Sequence, residues 1–223
     1  MATTKPWIDP ARVTKIRRSL LRWYRVHGRD LPWRAKNGKR PDPYRVLVSE
    51  AMLQQTRVAT AINYFERFMA TWPTAEALAA ATEQQVLRMW QGLGYYRRAT
   101  NLHAAVTRIV SEYEGQVPDN VNQLMCLPGV GRYTAGAIAS IAFGKAQPIL
   151  DGNVARVLAR WFAISKPVNE VAGRHRLWEL AAKMVPHRTA GEFNQAMMDL
   201  GATVCLPGKP RCDRCPLVRL CRA

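Results

Sequence analysis

Apolar residues recur every three or four positions along almost the whole chain, and no stretch of useful length alternates with a period of two. The first rhythm lays one stripe of a helix against a core, whereas the second would mark a half-buried strand. The expected fold class is therefore all-α. Asp9-Pro10 joins a capping side chain to a proline at the first helical position. Val13, Ile16, Leu20 and Tyr24 then share a face, and Gly28 ends the run. The spacing predicts a second helix over about 44–69, broken near Asn63. Thr82 and Gln85 make a capping box for a short helix that ends near Gly92. Leu102, Val106, Ile109 and Tyr113 mark another, stopped by Gly115. Asn120 with Gln123 opens a helix that ends before Pro128, and a small-residue helix runs from Gly131 to Gly144. Further helices are expected at about 153–163, 171–185 and 191–204. There is no internal repeat.

Charge narrows the class of partner. Lys and Arg number 33 against 16 acids, a net +17 over 223 residues. An excess of this size suits a polyanion better than a merely solubilising surface. The start, Met1 to Asp9, has no apolar core of a secretory signal, and no apolar run approaches the ~20 residues of a membrane span. An intracellular, reducing setting is expected, cytoplasmic or nucleoid-associated, with no membrane partner. Cysteine usage agrees. Cys205, Cys212, Cys215 and Cys221 form a C-x6-C-x2-C-x5-C array near the end of the sequence. Four thiolates in one loop can saturate a tetrahedral zinc or an iron–sulfur cluster, and the single C-x2-C knuckle favours iron–sulfur. Cys126 lies apart on an apolar helix and is expected to be a small buried hydrophobe.

Two further patterns carry chemistry. Leu127-Pro128-Gly129-Val130-Gly131 lies between two helices and is followed by Arg132. Paired glycines permit a tight turn that leaves N–H groups exposed at the start of the next helix, where they can hold a phosphate. The pentapeptide reads as a helix-hairpin-helix grip on a DNA backbone or as an ordinary turn between helices. The second pattern is a pair of carboxylates. Glu50 sits in the apolar run Val46-Leu47-Val48-Ser49-Glu50-Ala51-Met52-Leu53. If buried there, its carboxyl would stay protonated and serve as a general acid; the other reading is an exposed place on an amphipathic helix. Asp151, in Ile149-Leu150-Asp151-Gly152-Asn153, enters a helix whose N–H groups would keep it ionised, and alone it reads as a cap. One protonated and one ionised carboxylate is the arrangement that cleaves a glycosidic bond through an oxocarbenium-like state.

These motifs, in this order, resemble the helix-hairpin-helix glycosylase superfamily, and within it the catalytic domain of MutY-type adenine DNA glycosylases. The stretches that carry the resemblance are Leu31-Pro32-Trp33-Arg34, Ser49-Glu50 through Leu53-Gln54-Gln55-Thr56, Gly92-Leu93-Gly94-Tyr95-Tyr96, Leu127 to Thr134, Asp151-Gly152-Asn153-Val154, Phe193-Asn194-Gln195 and the four cysteines. The resemblance implies two helical lobes with a DNA cleft between them. A six-helix barrel would span 31–147, with its helix-hairpin-helix at about 120–143. An iron–sulfur lobe would combine 1–30 with 148–223, its cluster loop at 205–221.

The same resemblance implies roles. Glu50 would protonate the adenine and then handle the water, Asp151 would stabilise the sugar cation, and Tyr133 and Asn153 would support them. Arg29, Leu31, Trp33, Arg34 and Gln195 would line or border the base pocket, although an aromatic such as Trp33 or Tyr95 is more often core. Gln55 and Tyr95 would wedge into the base stack, with Thr56 and Leu93 near the opposite base. Gly129, Val130, Gly131 and Arg132 would hold the DNA backbone. Cys205, Cys212, Cys215 and Cys221 would hold a [4Fe-4S] cluster. Relatives similar to endonuclease III place at position 133 a lysine that attacks the sugar; Tyr133 lacks that amine. The implied activity is a monofunctional DNA N-glycosylase, a monomer acting on double-stranded DNA that carries a mismatched or oxidised pair. It would remove adenine opposite 8-oxoguanine or guanine, the alternative being thymine or uracil opposite guanine. Two departures stand out. The basic stretch 35–42 is longer than the family leads one to expect, and the domain that the resemblance would place after Cys221, which recognises 8-oxoguanine, is not among these 223 residues.

Overall fold

The computed structural model describes residues 9–35, 39–164 and 170–223, and every regular element in them is helical. The all-α expectation is borne out. Chain contacts divide the molecule into two compact units. One, the inserted unit, is the continuous segment Asp30–Lys145. The other, the terminal unit, comprises the described residues of Met1–Arg29 and Ala146–Ala223.

In the terminal unit, α1 (Pro10–His27) begins as its sequence predicts. The Asp9 side chain accepts from the Ala11 N–H at 2.9 Å, Pro10 occupies the first turn, and Gly28 closes the helix by donating to the Tyr24 carbonyl. A cap of this kind is worth about 1 kcal/mol. Val13, Ile16 and Leu20 are buried on one face. α1 packs on α11 (Ala190–Thr203), α11 on α9 (Gly152–Phe162), and α10 (Val171–Met184) on α9. Two single 3-10 turns, Cys212–Arg214 and Val218–Leu220, lie among the C-terminal cysteines.

The inserted unit holds α2 (Pro43–Leu53), α3 (Val58–Thr71), α4 (Ala75–Ala79), α5 (Glu83–Met89), α6 (Arg97–Glu112), α7 (Val121–Cys126) and α8 (Arg132–Ile141). α2 repeats the Asp-Pro start: the Asp42 side chain accepts from the Arg45 N–H at 3.0 Å, with Pro43 in the first turn. The capping box of Thr82 with Gln85 is present on α5. α8, rich in Ala, Gly and Ser, is buried from Thr134 to Ile141, so neighbouring helices cover it on all sides. α2 packs against α3, α6 and α8.

Two expectations need correction. The helix over 44–69 is two helices, and the break is at Gln54–Arg57 rather than Asn63, which lies inside α3. The reason is an arginine from another helix that takes the carbonyls at the end of α2, described below. Cys126 is exposed rather than buried, because it is the last residue of the short helix α7, whose buried residue is Leu124. Part of the basic stretch 35–42, residues 36–38, lies outside the described residues. Its Arg40 is placed: Nη1 donates to the Phe143 carbonyl at 2.9 Å, just beyond the C-terminal end of α8.

Candidate active site and DNA interface

Glu50 lies in the last turn of α2 and is 5% exposed, between buried Ser49 and Ala51. The reading of an exposed amphipathic position is thereby excluded. Val46, Leu47, Val48 and Met52 are buried on the same helix, so this short helix shows the core almost no polar face. A carboxyl carried into such a place costs free energy unless it is paired or protonated, which is why a buried acid marks chemistry more often than stability. Leu31 and Trp33 are buried in the same unit, and Trp33 meets the Phe65 ring edge-on at 5.3 Å. Arg34 donates its N–H to the Leu31 carbonyl at 2.9 Å, which turns the chain beneath them.

Beyond α2 the chain makes an exposed turn. Gln55 stands at φ 59°, a left-handed backbone that costs a non-glycine residue roughly 1–2 kcal/mol. Tyr95 stands at φ 48° in the second exposed turn and is 65% exposed, so it is not a core aromatic. Leu93 is buried beside it. Both turns are held by Arg98 of α6. Its Nη1 donates to the carbonyls of Ala51, Met52 and Gln54 and to Thr56 Oγ1, and its Nη2 to the carbonyls of Leu93 and Gly94. Arg98 was not singled out from the sequence. The available signal was register: it lies four residues before Leu102, on the buried face of α6.

The turn between α7 and α8 has the form the glycines suggest. Gly129 stands at φ 75°, and a Cβ there would lie 2.8 Å from Asn101 Cβ. Gly131 is the N-cap of α8 and leaves its first turn without a side-chain cap. Val130 is buried, and its N–H donates to the Leu127 carbonyl at 3.1 Å, so that group serves the turn rather than an outside anion. Arg132 is exposed and Tyr133 half-buried in the first turn of α8.

In the terminal unit, Asp151 is the N-cap of α9: Oδ1 accepts from the Val154 N–H at 2.7 Å, and Oδ2 from Asn153 Nδ2 at 3.2 Å. These bonds hold its charge, but burial outweighs them and pushes the carboxyl above its ordinary value. Arg156, one turn further along α9, donates to Asn153 Oδ1 at 2.8 Å, to the Cys205 carbonyl at 2.8 Å and to the Gly201 carbonyl at 2.7 Å. A single guanidinium thus ties the carboxylate end of α9 to the backbone of the first cysteine. Arg29 pairs with Asp199, Nε to Oδ1 at 2.8 Å and the backbone N–H to Oδ2 at 2.9 Å. Asp199 is fully buried on α11, four residues from Gln195, and sequence reading missed it for the same reason it missed Arg98.

All four C-terminal cysteines belong to this unit. Among the described residues no three His, Cys, Asp or Glu side chains converge as a ready metal site. The donor set nevertheless fits a thiolate-bound group. Burial pushes the Cys215 thiol up, and Cys205, Cys221 and Cys212 are near enough to push it further. Arg160 Nη1 points at Cys205 Sγ, 3.3 Å away, supplying a positive partner for a thiolate.

Comparisons with known proteins agree with this geometry. Residues 48–183 match the model of the HhH-GPD superfamily base excision DNA repair proteins. The chain is 50% identical over 220 residues to an adenine DNA glycosylase of Homo sapiens, covering 96% of this chain and 40% of that protein. It is 45% identical to the adenine DNA glycosylase of Arabidopsis thaliana, covering 94% and 36%. The chain therefore spans well under half the length of these curated relatives. Among solved structures, a thermostable thymine-DNA glycosylase superposes with a TM-score of 0.84 at 30% identity, covering 95% of this chain and 96% of that one. An endonuclease III–DNA covalent intermediate shares the fold, with a TM-score of 0.75 at 24% identity. A family match that runs from α2 through the glycine turn into α10, on a helical fold shared with these enzymes, places the chain in the HhH-GPD superfamily of base excision DNA repair proteins.

Proposed function

We propose that this chain is the catalytic part of a monofunctional DNA N-glycosylase that removes adenine mispaired with 8-oxoguanine or guanine. The observation that carries this reading is Glu50, an acid withdrawn from water at the end of α2, in a chain half identical to an adenine DNA glycosylase. A base inside a duplex is out of reach, so the adenine must be turned out of the stack before its bond is cut. Gln55 and Tyr95, exposed on adjoining turns, fill the space it leaves. Glu50 gives a proton to the departing adenine, which leaves poorly as an anion, and then directs the water. Asp151 faces the sugar cation as charge develops, with Asn153 fixing its carboxylate. Tyr133 adds a hydroxyl but no amine, so no imine with the sugar forms. Arg29, Leu31, Trp33, Arg34 and Gln195 border the base, and Thr56 and Leu93 the opposite one. Gly129, Gly131 and Arg132 hold the phosphates, with Val130 shaping the turn.

The inserted unit is assigned as the barrel lobe with its helix-hairpin-helix, and the terminal unit as the cluster lobe. Cys205, Cys212, Cys215 and Cys221 would hold a [4Fe-4S] cluster, which supplies a cross-link among four points of the C-terminal chain. A second reading, removal of thymine or uracil opposite guanine, is favoured by the likeness to the thymine-DNA glycosylase. Single-turnover release of free base from duplexes carrying A·8-oxoG, A·G, T·G and U·G separates the two. Adenine release alone, with no DNA adduct trapped by borohydride, is the expected result. Release of thymine without adenine would replace the first reading by the second, and a trapped adduct would overturn the monofunctional assignment.

A further inference from the structure

Arg98 stands in the first turn of α6, at the helix end that disfavours a cation, and is only 8% exposed. Among the described residues no carboxylate is found beside its guanidinium. Its partners are backbone carbonyls and one hydroxyl. Those of Ala51 and Met52, at 3.2 and 2.7 Å, belong to the last turn of α2, where the helix leaves its carbonyls without partners. The carbonyl of Gln54 and Oγ1 of Thr56, the latter at 3.1 Å, flank Gln55. Leu93 and Gly94 accept at 3.2 and 3.0 Å, and Tyr95 accepts from Nε at 3.4 Å. The guanidinium also lies over the rings of Trp90 and Tyr95, 5.4 and 5.5 Å from their centres.

Each acceptor therefore lies on one of two turns or on the helix end that leads into the first, and each turn carries one exposed, left-handed, non-glycine tip, Gln55 or Tyr95. We infer that Arg98 is a positioning residue that locks these two tips into one two-pronged device, so that both enter the base stack together. This deepens the function proposed above and rests on it, since a paired wedge has a use only where a base must leave the stack. A planar fork that reaches both turns at once is required. A lysine is a point charge with three donors and cannot serve both.

The test has one arm without DNA and one with it. In the whole chain carrying Arg98→Met, amide hydrogen exchange should rise together over 53–57 and 92–97, with the rest of the inserted unit unchanged. Exchange that rises throughout that unit, or in neither segment, overturns the proposal. Should Arg98→Met fail to fold, Arg98→Lys, which keeps the charge, carries the same measurements. In single-turnover excision, the variant should be slowed on the order of tenfold to a hundredfold on adenine paired opposite guanine. It should be slowed far less on adenine opposite an abasic site, where no pair has to be broken. Tyr95→Ala should show the same pattern, and the double variant should be no slower than the slower single one, because the two residues act as a unit. Equal slowing on both duplexes, or effects that multiply, would defeat the idea. If the wild-type chain releases no base from either duplex, the glycosylase reading fails, while the exchange arm still decides whether Arg98 joins the two turns.

Discussion

A glutamine at position 50 keeps the outline of the side chain and loses its proton. Glu50→Gln is therefore expected to bind mispaired DNA nearly as wild type and to lose roughly two to four orders of magnitude in single-turnover excision. Asp151→Asn should also slow excision, and the double variant should lose less than the product, because both groups act on one transition state. Excision at near wild-type rate by Glu50→Gln would reduce Glu50 to a helix residue. At this scale the sequence was legible where chemistry departs from pattern in plain view: an acid inside an apolar run, an aspartate before a glycine-led helix. Arg98 and Asp199 were not legible. Both are charged residues at core positions of otherwise amphipathic helices, and each has a partner far along the chain, Gln54 at 44 residues and Arg29 at 170. A periodicity argument assigns charged residues to the solvent side by default.

The glycine turn shows how an element can depend on the absence of one atom. Gly129→Ala would put a Cβ into Asn101 at a left-handed φ, a cost of roughly 2–4 kcal/mol from backbone strain and overpacking together. Gly131→Ala meets nothing within 4 Å and keeps an extended backbone, so its cost should stay within about 1 kcal/mol. Denaturant unfolding of the two variants checks the difference, and equal losses would mean the turn is not shaped as described. Helix starts were legible because Asp-Pro, Thr-x-x-Gln and Asn carry their caps in local sequence. The end of α2 was not, because Gln54-Gln55-Thr56 contains neither glycine nor proline, and the arginine that takes its carbonyls comes from α6.

For the whole molecule, +17 is the term that acts at a distance. If the positive charge serves a DNA backbone, non-specific affinity should fall on the order of a thousandfold between about 50 and 200 mM salt, each neutralised phosphate releasing counterions. A flat response in a filter-binding titration would assign the charge to something else. The division into two units has a temporal side as well. The inserted unit is one uninterrupted segment, so all of it has been synthesised by Lys145. The terminal unit is assembled from both ends of the numbering. On a ribosome, Arg25 and Arg29 are made long before Glu192 and Asp199, their partners 167 and 170 residues later. Contacts of such separation form late and carry the full entropy of closing the loop between them. α1 is thus made before the inserted unit and is among the last elements to be finished, and it must be kept from other partners while the inserted unit folds ahead of it.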